Sequence, residues 1–244
     1  AKTDDAKASG FPLEDYTPTQ ALYYGNVSMK TFDAEVIGIM PLSKDQGPSD
    51  ASHAVILNAS AFYPEGGGQE GDYGRVVQGS TSVQVLDTQV VRGVILHMCD
   101  GPLEIGQSVI GHLDWKRRKQ LMDHHTAVHI VGGAARRILG PHVYQAGANK
   151  SVESGRLDIT HFNRLSRGDL DAIEALANSV LGDVSRTEKT KLNRKDADEI
   201  HGFDLYQGGA PKGNTIRVLK IAEHDIQACG GTHHDEPGQI GSIR

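Results

Sequence analysis

The first half of the chain consists of short apolar segments separated by turn residues at regular spacing, the pattern of successive β-strands. Six short segments between residues 32 and 114 are rich in β-branched residues and bounded by Gly, Asp or Ser: FDAEVIGIM, HAVILN, GRVVQG, SVQVLDTQV, GVILHM and SVIGHLD. No helical period interrupts them, and regularly spaced short strands are typical of a small closed barrel. We therefore predict a small β-barrel over residues 21–113. The polar residues 1–20, which include Pro and Gly, predict a linker or arm.

The hydrophobic period changes to that of helices in the second half. Asp114 is expected to cap a helix that runs to about Leu139 and ends at Gly140-Pro141. Ser166 and Asp169 have the spacing of a capping box, and an apolar face follows them. Six residues form that face: Leu170, Ile173, Leu176, Ala177, Val180 and Leu181.

Shorter elements complete this half. We expect strands around 184–191 and 215–228, a short helix near 194–201, and a strand-like end over 240–244. Helices and strands that mix without βαβ alternation indicate an α+β fold. We predict that 114–244 is a second domain, with helices packed on an antiparallel sheet.

Two widely separated motifs carry candidate metal ligands. In DHHTAVHIVGG, His125 and His129 are four residues apart on the predicted helix, so both imidazoles point to one side. In CGGTHH, Cys229 and His233 have the same spacing next to a glycine pair. Together they supply the four nitrogen and sulfur ligands that tetrahedral zinc prefers. The spacing alone leaves open whether such a zinc is catalytic or positioning.

Other chemistries have less support. The chain has neither the GxSxG elbow nor the HExxH motif, although a Cys-His nucleophilic site built on Cys229 stays conceivable. The glycine-rich segment EGGGQEGDYG, residues 65–74, lacks the GK[ST] ending of a P-loop, so we interpret it as a close backbone approach or tight turns.

Charge and composition narrow the class of protein. The net charge of −6 over 244 residues argues against indiscriminate binding of polyanions. Yet the run Lys116, Arg117, Arg118 and Lys119 opens a helix, where cations oppose the macrodipole. Contacts with phosphates would explain the run, and so would a solvated basic face.

The number of cysteines bears on the compartment. One of the two cysteines is assigned to metal, so no disulfide framework is left, and we expect a cytoplasmic location. The chain starts at Ala1, and we expect it to be an excised segment of a longer protein.

Taken in order, these motifs resemble a known family. HTAVH and CGGTH are similar to the zinc motifs of the alanyl-tRNA editing domain. FYPEGGGQEGDYG, HVYQAGANK, RLDITHF and DLYQGGAPKG are similar to the archaeal form of alanyl-tRNA synthetase. The resemblance covers residues 20–244. Free-standing alanyl-tRNA editing proteins share the zinc motifs and the glycine-rich loop.

The resemblance implies a barrel followed by an editing core that hydrolyses tRNA-Ala mischarged with serine or glycine. It implies zinc at the four ligands named above, and a substrate pocket that involves Thr126 and Gln145. Gly66, Gly67, Gly68 and Gln69 match a loop thought to approach the tRNA end. No aminoacylation core is recognisable, so the remainder of the synthetase is an expected partner.

Two further hypotheses stay open. The chain could be a free-standing editing protein, or a zinc-stapled module that binds tRNA without catalysis.

Overall fold

A computed structural model describes residues 11–184, 186–211 and 213–244. It confirms the α+β class, with a closed six-stranded barrel, a further antiparallel sheet and helices. The contacts divide the chain into two compact units. The first comprises Ala1–Gly66 with Glu70–Gln120, and the second Gly67–Gln69 with Leu121–Arg244. Apart from Gly67–Gln69, the two units meet in the chain between Gln120 and Leu121, whereas the pattern placed the boundary at 113/114.

The described elements have the following bounds. The strands are β1 (Gln20–Ala21), β2 (Thr31–Pro41), β3 (His53–Leu57), β4 (Ala59–Ser60), β5 (Gly74–Gln78), β6 (Thr81–Val91), β7 (Val94–Cys99), β8 (Ser108–Leu113), β9 (Gln145–Lys150), β10 (Gly155–Ile159), β11 (Thr187–Asn193), β12 (Thr215–Ile221) and β13 (Asp225–Ala228). The helices are α1 (Trp115–Leu139), α2 (Arg167–Asp183) and α3 (Arg194–His201), with short 3₁₀ turns at Leu22–Tyr24, Phe203–Leu205 and Pro237–Ile240. Within these described ranges, no helix is both long and apolar enough to cross a bilayer.

The first unit contains the predicted barrel. Six antiparallel strands close in the order β2-β3-β7-β6-β5-β8. Every residue of β7 is buried, because this strand contributes to apolar clusters on both of its faces. His97 on β7 is buried as well, and it is held by Ser60 Oγ at 2.8 Å and by the carbonyl oxygen of Val55 at 2.9 Å.

The expectation of an arm over 1–20 is wrong for the part that the structure describes. Leu13 is buried in one of the apolar clusters of the barrel unit. Thr19 Oγ1 accepts a hydrogen bond from the backbone N–H of Ile95, and β1 pairs with β4. Burial of Leu13 and these bonds fix residues 11–20 to the first unit. Residues 1–10 lie outside the described part of the chain.

The second unit packs helices on an antiparallel sheet, as predicted. Its sheet has the order β11-β12-β13, and the apolar faces of α1 and α2 share one core with β12. Gly133 on α1 permits close approach to the sheet, because a Cβ there would lie 2.7 Å from His224 Nε2. The strands β9 and β10 form a separate antiparallel pair.

Three local expectations differ from the structure. The strand predicted over 215–228 is a hairpin of β12 and β13, with Ala222 in the left-handed region at its turn. The strand predicted over 184–191 begins later, at Thr187. Residues 240–244 form no strand, because the backbone N–H and C=O of Ile243 bond the side chain of Asn178 on α2 instead.

Candidate metal centre

Four side chains from two elements meet inside the second unit. His125 and His129 are one turn apart on α1, and their rings stack with centroids 5.4 Å apart. Cys229 and His233 lie in the loop that follows β13, where the N–H of Cys229 still donates to the carbonyl of Arg217. Glycine is required at position 231 of this loop, since a Cβ there would lie 2.0 Å from Cε1 of His125.

The ligand atoms have the spacing of a metal site. Cys229 Sγ lies 3.5 Å from His125 Nε2 and 3.2 Å from His233 Nε2. All four ligand atoms lie within 4.8 Å of one another. Tetrahedral zinc, with bonds of about 2.0–2.3 Å, places neighbouring ligand atoms roughly 3.3–3.8 Å apart. The group can therefore hold one metal ion, and its donor set fits zinc.

Each imidazole uses Nδ1 for a contact outside the cluster, which leaves Nε2 for a metal. The three contacts are His125 Nδ1 with Gln69 Oε1 at 2.7 Å, His129 Nδ1 with Asp225 Oδ2 at 3.2 Å, and His233 Nδ1 with Thr126 Oγ1 at 3.4 Å. Such outer partners orient metal-binding histidines and select their tautomer. A cluster of histidines packed only as core would not require this arrangement at every ring.

The charges in the cluster favour a cation. Burial opposes ionisation of the Cys229 thiol, but the imidazoles of His125 and His233 outweigh it and hold the thiol pKa well below its usual range. Burial lowers the pKa of His125 to about 4, so this ring is neutral at pH 7. Burial also opposes protonation of His129, yet the Cys229 thiolate and Asp225 raise its pKa to about 9. A thiolate and a neutral imidazole, the forms given above for Cys229 and His125, are those that bind metal. His129 is protonated at pH 7 without an ion, and binding of a metal at its Nε2 would release that proton.

The two residues expected in a substrate pocket have different surroundings. Thr126 is fully buried, and its hydroxyl contacts His233 and accepts a hydrogen bond from the N–H of His234 at 3.3 Å. Gln145, at the start of β9, lines a cavity of about 30 Å³ together with Asp225, the partner of His129. Thr126 thus supports a ligand, and only Gln145 lies beside an open space.

The glycine-rich loop is split between the two units. Gly66 lies in the first unit, whereas Gly67 and Gly68 lie in the second, both with positive φ. A Cβ on Gly68 would lie 2.3 Å from the carbonyl oxygen of Ala148, so glycine is required there. Gln69 is fully buried, and its side chain contacts His125. Gln69 was expected in a loop that approaches the tRNA end, but its buried side chain is not available for such a contact.

The basic run divides into exposed and buried members. Lys116 is exposed and Lys119 half-buried. Arg117 stacks over the Tyr73 ring at 3.6 Å and pairs with Glu70 at 2.8 Å. The expectation of a phosphate contact is wrong for Arg118, because its guanidinium is completely buried.

The contacts of Arg118 explain this burial. Its guanidinium is ion-paired with the buried Asp72 and donates to the carbonyls of Ala61 at 2.7 Å and Val27 at 3.3 Å. Asp114 caps the same helix end as predicted, since its Oδ1 accepts from the N–H of Arg117 at 3.1 Å.

Sequence reasoning missed several residues near the cluster. Asp225 carries no motif that marks it as a partner of His129. Lys150 is buried, donates to the carbonyl of Gly67 at 3.0 Å, and has a pKa lowered by that burial. Next to the candidate ligands, His124 contacts the carbonyl of Ser151 and His234 contacts Asp123 at 2.5 Å, so both imidazoles have partners outside the cluster.

Comparison with known proteins agrees with the motifs. A model of the class II (A) tRNA synthetases matches residues 2–117. The chain is 41% identical to the alanine–tRNA ligase of Halorubrum lacusprofundi over 232 residues, which are 95% of this chain and 24% of that protein. It is also 41% identical to the ligase of Natronomonas pharaonis, over 100% of this chain and 26% of that protein. For Ignicoccus hospitalis the identity is 41%, over 97% of this chain and 24% of the ligase. The chain spans about a quarter of the length of these curated relatives.

Proposed function

We propose that this chain is an editing hydrolase. Nearly its whole length is similar to a segment of the alanine–tRNA ligases, and this similarity supports the proposal. Its substrate is tRNA-Ala mischarged with serine or glycine, and the bond cut is the ester to the tRNA end. One observation carries the proposal: three Nε2 atoms and one thiolate converge from motifs about a hundred residues apart. The proposed location is the cytoplasm, where charged tRNA is used.

Zinc is the proposed cofactor, held by His125, His129, Cys229 and His233. When bound, it would supply a Lewis acid close to the ester. The protein residues hold and orient the site: Asp225 fixes His129, and Thr126 lies against His233. No side chain is assigned as the catalytic base.

The small cavity beside Gln145 supports selection of a small amino acid. About 30 Å³ is room for a small polar group such as the hydroxymethyl of serine. The backbone of Gln145 is held there, because its main-chain N–H donates to Gln207 Oε1 at 3.0 Å. Gly208 leaves space for its side chain, since a Cβ there would lie 2.5 Å from Gln145 Nε2.

Selectivity for serine over alanine follows from hydrogen bonding in such a pocket. A polar group that only the serine hydroxyl satisfies is left unpaired by alanine. Discrimination of this kind can reach roughly 10⁴, whereas an apolar pocket rejects an added hydroxyl by only about a hundredfold.

The proposed tRNA contacts are the loop residues Gly66 and Gly67 and the cations Lys116 and Lys119. Gly67 is exposed, and no described atom lies within 4 Å of the position that a Cβ would take there. Lys116 is exposed at the start of α1.

The test is paired hydrolysis of Ser-tRNA-Ala and Ala-tRNA-Ala by this chain. We expect strong preference for the serine ester, loss of preference in Gln145→Ala with zinc retained, and loss of zinc with activity in Cys229→Ala. Gln239→Ala, at an exposed position, is the matched control. Thr126→Val should weaken zinc binding rather than selectivity, because Thr126 contacts a ligand. Wild-type protein that cuts neither ester would overturn the proposal.

The alternative is a zinc-stapled tRNA-binding module without catalysis. The complete set of four protein ligands favours it, because structural zinc sites are closed and catalytic ones keep a position open. Tight tRNA binding without deacylation, lost together with zinc, would support the module. Deacylation of mischarged tRNA-Ala by the chain without the rest of a synthetase is also the behaviour expected of a free-standing editing protein.

A further inference from the structure

The segment that ends the glycine-rich loop is built into the interior of the second unit. The N–H of Lys150 donates to the carbonyl of Gly68 at 2.6 Å, and Lys150 Nζ donates to that of Gly67 at 3.0 Å. Gln69 forms a single parallel bridge with Lys150. These bonds place the Gln69 side chain among the metal ligands, where it has no exposed surface.

The amide of Gln69 joins the two motifs that supply the ligands. Its Oε1 lies 2.7 Å from Nδ1 of His125 on α1 and accepts from the backbone N–H of Thr232 at 3.1 Å. Its Nε2 donates to the hydroxyl of Thr232 at 2.8 Å. Thr232 directly precedes the ligand His233 and is itself buried. One side chain therefore connects the helix pair of ligands to the loop pair.

The hydrogen bonds also determine the tautomer of His125. A backbone N–H can only donate, so the Gln69 atom that faces Thr232 N must be the carbonyl oxygen. The same oxygen faces His125 Nδ1, which must therefore carry the ring proton. Nε2 of His125 is then left with its lone pair, and it is Nε2 that faces Cys229 at 3.5 Å.

We propose that Gln69 is a positioning residue of the metal centre, which fixes His125 as the Nδ1–H tautomer with Nε2 directed at the ion. The glycine-rich loop is thereby a structural part of the metal centre in addition to its proposed tRNA contacts. The inference rests on the metal site of the proposed function but not on hydrolysis, so zinc binding can test it even if no ester is cut.

The first experiment measures zinc affinity by competition with a chromogenic chelator. Gln69→Met keeps the length of the side chain but lacks an acceptor, and we expect it to bind zinc about 10–100-fold more weakly. Gln69→Glu keeps an oxygen for His125 and for Thr232 N–H, and it should bind at least as tightly as the wild type. Gln239→Met, at an exposed glutamine, should change nothing.

Two outcomes would overturn the proposal. Undiminished affinity in Gln69→Met would show that the acceptor is unnecessary. Equal weakening in Gln69→Glu and Gln69→Met would show that packing, and not hydrogen bonding, explains the loss.

A second measurement does not depend on any variant folding. In metal-free wild-type protein, the same Gln69 oxygen faces His125 Nδ1 at 2.7 Å and Thr232 N–H at 3.1 Å. ¹⁵N NMR of the His125 imidazole should therefore report a single tautomer with the proton on Nδ1. Gln69→Met, with its fold checked by circular dichroism, should report a mixture. A wild-type ring protonated on Nε2 would refute the proposal whatever the variants do.

Discussion

Replacing Arg118 with methionine should destabilise the first unit and leave the salt dependence of tRNA binding unchanged. The guanidinium has no exposed surface, and its bonds go to Asp72 and to the carbonyls of Ala61 and Val27. Methionine fills similar space but leaves the Asp72 carboxylate buried without its cation. Removing one partner of a buried pair costs about 3–5 kcal/mol, because an uncompensated charge remains.

Urea denaturation measures this cost. With a slope near 2 kcal/mol/M, a loss of about 4 kcal/mol lowers the unfolding midpoint by about 2 M. The unfolding midpoint of Asp72→Asn should fall by a similar amount. The double variant Arg118→Met/Asp72→Leu should recover a large part of the loss, because neither charge is left in the interior.

The salt dependence of the proposed tRNA binding distinguishes an exposed cation such as Lys116 from the buried Arg118. Lys116→Met removes an exposed cation, and the slope of log K against log salt should become shallower by about 0.7–0.9. Under native conditions Arg118→Met should keep the wild-type slope. If Arg118→Met flattens the slope as Lys116→Met does and leaves the urea midpoint unchanged, the assignment of Arg118 to the interior is refuted.

Three further outcomes are expected. Zinc should copurify at about one ion per chain and be absent from Cys229→Ala, and undiminished zinc in that variant by metal analysis would remove Cys229 from the ligands. Burial lowers the pKa of His97 to about 4, so between pH 6.5 and 4 the unfolded chain takes up a proton that the folded barrel does not. Stability should therefore fall by about 3 kcal/mol as pH drops through this window, and denaturant titrations of His97→Gln should show a smaller loss. Gly231→Ala should weaken zinc binding through its clash with the His125 ring, whereas Gly238→Ala, where a Cβ lies 3.6 Å from the carbonyl of Leu181, should not; equal affinities in the two variants would contradict the clash.

The periodic parts of the chain were predictable from sequence. The regular spacing of short β-branched segments between turn residues indicated the barrel strands. The helical period with its caps indicated α1 and α2, because that period reflects burial of one helix face. The spacing of the HxxxH and CxxxH pairs indicated a shared ion, and the structure brings their side chains together.

Long-range partners were not predictable in the same way. Arg118 has the local sequence of a basic surface, and only its distant partner Asp72 makes it a buried residue. The strand β9, with sequence QAGANK, lacks the β-branched residues that mark strands. Asp225 and Gln69 contact ligands across 96 and 56 positions, and no local pattern reports such a separation.

The assignment of Gly67–Gln69 to the second unit has a consequence for how this protein can be divided. These three residues lie between segments of the first unit, so no single cut in the chain separates the two units intact. A truncated protein that begins at residue 114 would contain all four candidate ligands but lack the acceptor for His125 Nδ1. Transplanting the candidate metal centre into another protein therefore requires the short loop segment as well, or a new acceptor at its place. In this sense the candidate centre is a discontinuous module, since the barrel strands β5 to β8 lie in the chain between its two parts.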